Sequence, residues 1–128
     1  MAVGTPTSRL DTFLADFAGA WIQFHTADPG AAGTTGTTAS VSPRKQVTLE
    51  AANTNGTNRR RRNSALLRWD PGDVTGSATL THYSVWTAST SGTFLISGAL
   101  SSSVSVTSGT PIEIAVNQLE FAIGPVAS

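Results

Sequence analysis

From Val104 onward, apolar side chains recur at every second position: Val104 and Val106, then Ile112, Ile114 and Val116, then Leu119, Phe121 and Ile123. A β-strand sends successive side chains to opposite faces, so this spacing aims each set at one side of a sheet. Weaker forms of the pattern run through residues 21–26, 46–50, 64–69, 78–87 and 93–100, with Asp28-Pro29-Gly30, Asp70-Pro71-Gly72 and the polar stretch 89–92 between some of them. The fixed φ of proline and the freedom of glycine suit those tripeptides to turns. Roughly seven short strands punctuated in this way predict a mainly β protein, an antiparallel β-sandwich or jelly-roll-like barrel rather than a βαβ fold.

One segment has a different period. Leu10, Phe13, Leu14, Phe17 and Ala18 fall at i, i+3, i+4, i+7 and i+8, a single stripe on a short N-terminal amphipathic helix. Thr7 or Ser8 is placed to cap its start, Asp11 to favour the positive end of its dipole, and Gly19 to stop it. This helix is expected to lie across one end of the sheet, an arm docking on a neighbouring subunit being the other reading. Residues 31–40 are almost entirely Gly, Ala and Thr, and residues 51–63 carry a basic run, so exposed loops are expected near 28–42 and 51–63. At 128 residues and 13.2 kDa the chain supports one modest core. The expected layout is a single domain over 1–128, with a helix or arm over 1–20 and the β-sandwich over 21–128.

Charge narrows the function. Only 12% of residues are charged, against a usual fraction of about 25%, so Ser, Thr, Gly and Asn must supply the polar surface, as on extracellular and virion β-proteins. Eight cationic residues balance eight acidic ones. With a pI of 6.7, the chain lacks the basic field of a nucleic-acid binder, whose pI usually exceeds ~9. Zero net charge also removes the repulsion between copies, which fits a component of an assembly. The absence of Cys excludes a disulfide framework and thiolate chemistry. No basic start with a following apolar run marks a secretory signal, and no stretch approaches the ~18 apolar residues of a membrane span.

Catalytic patterns are nearly missing. His25 and His82 lie in different strand candidates without metal-ligand spacing around them. His82 alternates with Leu80 and Trp86 and reads as an inward or interface histidine; beside Asp70 or Asp73 it would be the one candidate for a shifted titratable group. Asp70-Pro71-Gly72-Asp73 lacks the oxygen-ligand spacing of a calcium loop and reads as a turn with polar ends. No serine sits in G-x-S-x-G, and no glycine run follows a dinucleotide or P-loop pattern. No enzyme, cofactor or metal is expected. Trp21, Trp69 and Trp86 each lie in a strand candidate and read as core or interface aromatics, a glycan-stacking platform being the alternative.

The order of several short stretches carries a resemblance. HTADPG closing the first strand, a Gly/Thr loop, the basic start Pro43-Arg44-Lys45-Gln46, then THYSVW, GTFLISGAL and SGTPIEI, together resemble a family of small virion structural proteins of tailed bacteriophages. The similarity runs from about Leu10 to Ile123. It departs at Pro43, where an aromatic is common, and at Arg59 to Arg62, where small polar residues are typical. It implies a virion component, described in different members as head decoration, tail fibre or minor tail protein.

On that footing Asn58 to Asn63, NRRRRN, is expected to dock on an acidic partner protein through Arg59, Arg60, Arg61 and Arg62, with Arg44 and Lys45 as helpers. A solvated loop and a phosphate-collecting run are the alternatives. The expected function is a head decoration or minor capsid protein that binds and reinforces the capsid surface; the alternative is a tail fibre or minor tail protein involved in host-surface binding. Expected partners are the major capsid protein or other virion proteins and further copies of the chain, with a trimer as the guess, and neither membrane nor nucleic acid. Assembly would take place in the host cytoplasm, with the head surface preferred over the tail as the final location.

Overall fold

The computed structural model describes residues 4–41 and 44–125; Pro43 lies outside them. One helix, α1 (Thr7–Ala15), precedes nine strands: β1 (Trp21–His25), β2 (Lys45–Gln46), β3 (Asn53–Asn55), β4 (Asn58–Arg62), β5 (Leu67–Trp69), β6 (Ala78–Trp86), β7 (Phe94–Val106), β8 (Ile112–Ile114) and β9 (Glu120–Ile123). They form antiparallel sheets in the orders β2-β1-β6-β7, β3-β4-β9 and β5-β8. The protein is thus mainly β with one short N-terminal helix, as the periodicity predicts.

The sheets share one core. Ile22 and Phe24 of β1 and Val85 of β6 point into it with Leu67, Trp69 and Phe121. Phe24 meets Trp69 at 4.6 Å between ring centroids, and Phe17, just past the helix, stacks on Phe121 of β9 at 4.7 Å. Aromatic contacts at these separations add to the burial of large apolar area. Leu10 and Leu14 are the buried residues of α1, whereas Phe13 is 46% exposed. The helix begins after Pro6 without a side-chain cap, so neither Thr7 nor Ser8 plays the capping part expected of them. Pro6 stands at the N-cap position, where its carbonyl accepts from the Arg9 and Leu10 amides.

Several boundaries differ from the sequence reading. Val104 and Val106 belong to the same strand as residues 94–100, so β7 is longer than alternation indicated. Val116 is 46% exposed rather than inward, because the chain leaves β8 after Ile114 and turns at Asn117, φ 69°. The largest correction concerns residues 51–63, expected as an exposed loop. They contain the β3–β4 hairpin, and β4, with its four arginines, is the central strand of its sheet.

Candidate binding site

Strand β4 sorts its arginines by side. Arg59 and Arg61 face the helix: Arg59 clamps Asp11 through Nε and Nη2, at 2.7 and 3.1 Å, and Arg61 donates from Nη1 to the Leu14 carbonyl. The Leu14 carbonyl also accepts from the Phe17 amide, so Arg61 adds a charged donor at the negative dipole end of the helix. Arg61 Nε also donates to the Glu50 carbonyl. On the other side Arg62 forms a 2.7 Å pair with Glu50, and Arg60 bonds Asn53 and approaches Glu120 at 3.8 Å. Arg62 holds the Glu50 carboxyl down at about 2, and the hydrogen bond from Arg59 lowers the Asp11 carboxyl. Arg59, Arg60 and Arg62 of the run thus meet acids of their own chain, and Arg61 meets backbone carbonyls.

Lys45 is engaged in the same way, pairing with Asp73 at 2.9 Å. Asp70, the other acid of the DPGD turn, pairs with Arg68. His82 stands opposite His25 across β1 and β6, with its ring on the Thr81 hydroxyl at 2.8 Å. Among the described residues no hydrogen bond or ion pair joins His82 to Asp70 or Asp73, and no group of three or more His, Asp or Glu side chains is placed to hold a metal ion. Nor does any described helix have the length and apolarity to cross a membrane.

Arg44 is held differently from the other five docking candidates, meeting neither an acid nor a helix end. Its guanidinium carbon sits 4.1 Å from the centre of the Trp86 ring, and it donates to the Gln23 side-chain oxygen and to the carbonyls of Ala88 and Ser91. No carboxylate pairs with it among the described residues. Burial lowers its pKa from the usual value, the direction expected for a cation with little water and no counter-ion. Arg44, Gln23, Thr38 and residues 89–91 line a cavity of about 290 Å³.

The Trp86 ring against Arg44 is fixed in turn by a chain of hydrogen bonds. His25, fully buried, lies 2.8 Å from the Thr35 carbonyl through Nδ1 and 2.6 Å from Ser84 Oγ through Nε2. A carbonyl only accepts, so Nδ1 carries the proton, and Nε2 accepts from the Ser84 hydroxyl. Ser84 Oγ in turn accepts from Trp86 Nε1 at 2.7 Å, which sets the indole beneath Arg44. The Thr35 end of the chain pins the 31–40 segment onto the sheet, where Gly33 and Gly36 take left-handed backbone conformations, φ 73° and 69°. A Cβ at Gly33 would fall 2.6 Å from the Phe94 ring, so only glycine lets the loop lie this close. The segment expected to be an exposed loop is a loop, but Pro29, Gly33 and Val41 within it are buried.

Of the three tryptophans, Trp69 is fully buried in the core and Trp86 is 7% exposed under Arg44. Trp69 belongs to the core cluster, whereas Trp86 packs outside it against Phe94 and Arg44. Trp21 is half-buried at the same face as Trp86, its cross-strand neighbour. The His25–Ser84–Trp86 chain escaped the sequence reading. Its one trace there is that His25 and Ser84 are polar residues inside otherwise strand-like apolar runs.

Fold and site together define a small antiparallel β module in which a cation without a carboxylate partner among the described residues, seated on an indole, lines an open recess of mixed polar and apolar character. The family model of the Podophage GP4 fiber I protein gp80 matches residues 11–122, and the chain belongs to that family. It is accordingly a bacteriophage virion structural protein of the tail-fibre type, and the resemblance carried by HTADPG and THYSVW holds at the level of the family. No curated protein matches the chain.

Proposed function

We propose that the chain is a fibre or minor tail component of the phage particle that works by binding at the host surface rather than by catalysis. The observation that carries this reading is β7. Its sequence, FLISGALSSSVSV, contains no charge and no proline over 13 residues, yet it forms the outer edge of its sheet. Natural edge strands are blunted by lysines, prolines, brevity or a covering segment, because an open edge recruits another strand. An edge without these devices fits a strand meant to be met by another chain, and Ile96 and Val104, 38% and 39% exposed, add apolar area along it. A homo-oligomer with β7 at its interface, a trimer being the symmetric guess, fits both this edge and a fibre-type family.

The head-decoration role expected from the sequence gives way to the fibre role, which is closer to the family's description. Immunogold labelling of intact virions with an antibody to the purified protein tests the choice. Gold on the tail or its appendages is the expected result, and gold spread over the head would overturn it.

A further inference from the structure

We propose that the recess beside Arg44 binds a carboxylate-bearing sugar, one uronic acid ring or a ring of similar chemistry. Three features select this ligand class. The first is charge. Every other cation of the strand candidates for docking meets a carboxylate or a helix carbonyl, whereas Arg44 has no acid among the described residues. Its Nε and Nη1 are occupied by Gln23, Ala88 and Ser91, which leaves Nη2 without a partner among the described residues. A guanidinium with a single free edge matches a monoanion better than a phosphate monoester, which brings nearly two charges.

The second feature is the donor set. Gln23 lines the cavity and turns its oxygen toward Arg44, which leaves the amide N–H₂ as two further donors. Thr38 Oγ1 accepts from the Ser40 amide, so its hydroxyl hydrogen is free to donate, and Ser89, Thr90 and Ser91 complete the lining with Ala39 and Val41. A carboxylate would meet Nη2 and the Gln23 amide, while ring hydroxyls would meet the Ser and Thr groups, each of which both donates and accepts. The third feature is size. The cavity of about 290 Å³ stands at the lower end of small-ligand sites, which begin at roughly 300 Å³, so it holds one or two sugar rings and not a drug-sized apolar molecule.

Preorganisation strengthens the case. Arg44 is held by three hydrogen bonds and the Trp86 ring, and Trp86 is held through Ser84 and His25. The ligand would therefore find its cation already in place, without the ordering cost of a free arginine side chain. The proposal rests on the fibre reading only for where such a sugar is met, namely in acidic polysaccharide at the host surface.

The test is a titration of the purified full chain with galacturonate and, in parallel, with neutral galactose, followed by backbone amide NMR shifts and Trp fluorescence. Galacturonate is expected to shift the amides of Thr38, Arg44 and residues 89–91 with a Kd on the order of 1 mM, and galactose to bind about tenfold more weakly or worse. Gln23→Glu supplies Arg44 with an internal carboxylate and should erase the response to galacturonate while the thermal transition stays in place. Arg44→Met gives a second loss-of-binding variant. Equal responses to the two sugars, or none, would overturn the proposal, as would displacement of galacturonate by inorganic phosphate at lower concentration. A negative titration leaves the fibre reading standing, and gold over the head would leave the sugar site standing.

Discussion

Asn63 shows how much a single buried amide can hold together. It is fully buried; its Nδ2 donates to the carbonyls of Ala65 and Ala115, and its Oδ1 accepts from the Leu119 amide at 2.9 Å. Asn63→Ala would orphan backbone groups in the interior at ~1–3 kcal/mol each, so a urea-melt loss of that order or more is expected. In the sequence Asn63 is merely the end of a polar run, and nothing local distinguishes it from a loop residue. Two of its partners, Ala115 and Leu119, lie some fifty positions away, and only the fold brings them to it. His25 was equally hidden. Burial holds its pKa below the ordinary 6.5, so the unfolded chain takes up the proton first as the pH falls. Stability is then expected to be full above about pH 6.5 and to decline below it until the folded-state value is passed. Urea midpoints measured across that range in wild type and His25→Gln test this: the variant should be weaker at neutral pH and should lack that part of the slope.

At the scale of the element, β4 explains why four identical residues misled the pattern reading. Alternation is visible only when neighbouring positions differ, and RRRR offers no contrast between faces. Folded, the strand splits the run into a helix-facing pair and an opposite pair. The acids that receive it sit at 11, 50 and 120, too far along the chain for any local rule to connect. The one sequence-wide trace of such pairing is the equality of the cationic and acidic totals. Two predictions belong here. Arg61→Ala removes the donor at the end of α1 and should lower the melting temperature, with amide exchange rising first in residues 7–15. The Glu50 carboxyl, at about 2 in the folded chain against an ordinary 4.5, contributes stability that is complete above about pH 4.5 and is lost as the pH falls toward 2. Arg62→Met should flatten that acid dependence in thermal melts, and an unchanged slope would mean the pair contributes nothing.

For the whole molecule, the fold class, the helix and most strand positions were legible, because the turn tripeptides and the alternation of Val104 to Ile123 are local signals. The pairing order was not, and with it went the site: Arg44 meets Trp86 only because β2 lies beside β1 and β1 beside β6. The same order leaves β7 open. Native mass spectrometry should find oligomers of the wild-type chain, and Ile96→Lys with Val104→Lys, which adds two charges to that edge, should shift the population toward monomer. Monomeric wild-type protein at all concentrations would remove β7 from the interface.

Because its cationic and acidic totals are equal and most of its described cations pair with its own carboxylates, the molecule casts little long-range field. Encounters with a surface are then unsteered, with association rate constants near the ~10⁵–10⁶ M⁻¹s⁻¹ of neutral pairs, and they change little between dilute and saline media. A particle carrying such a protein gains its hold from the number of copies that engage at once. Capture would therefore scale with how many copies each virion displays, and hardly at all with the ionic strength of the water it drifts in.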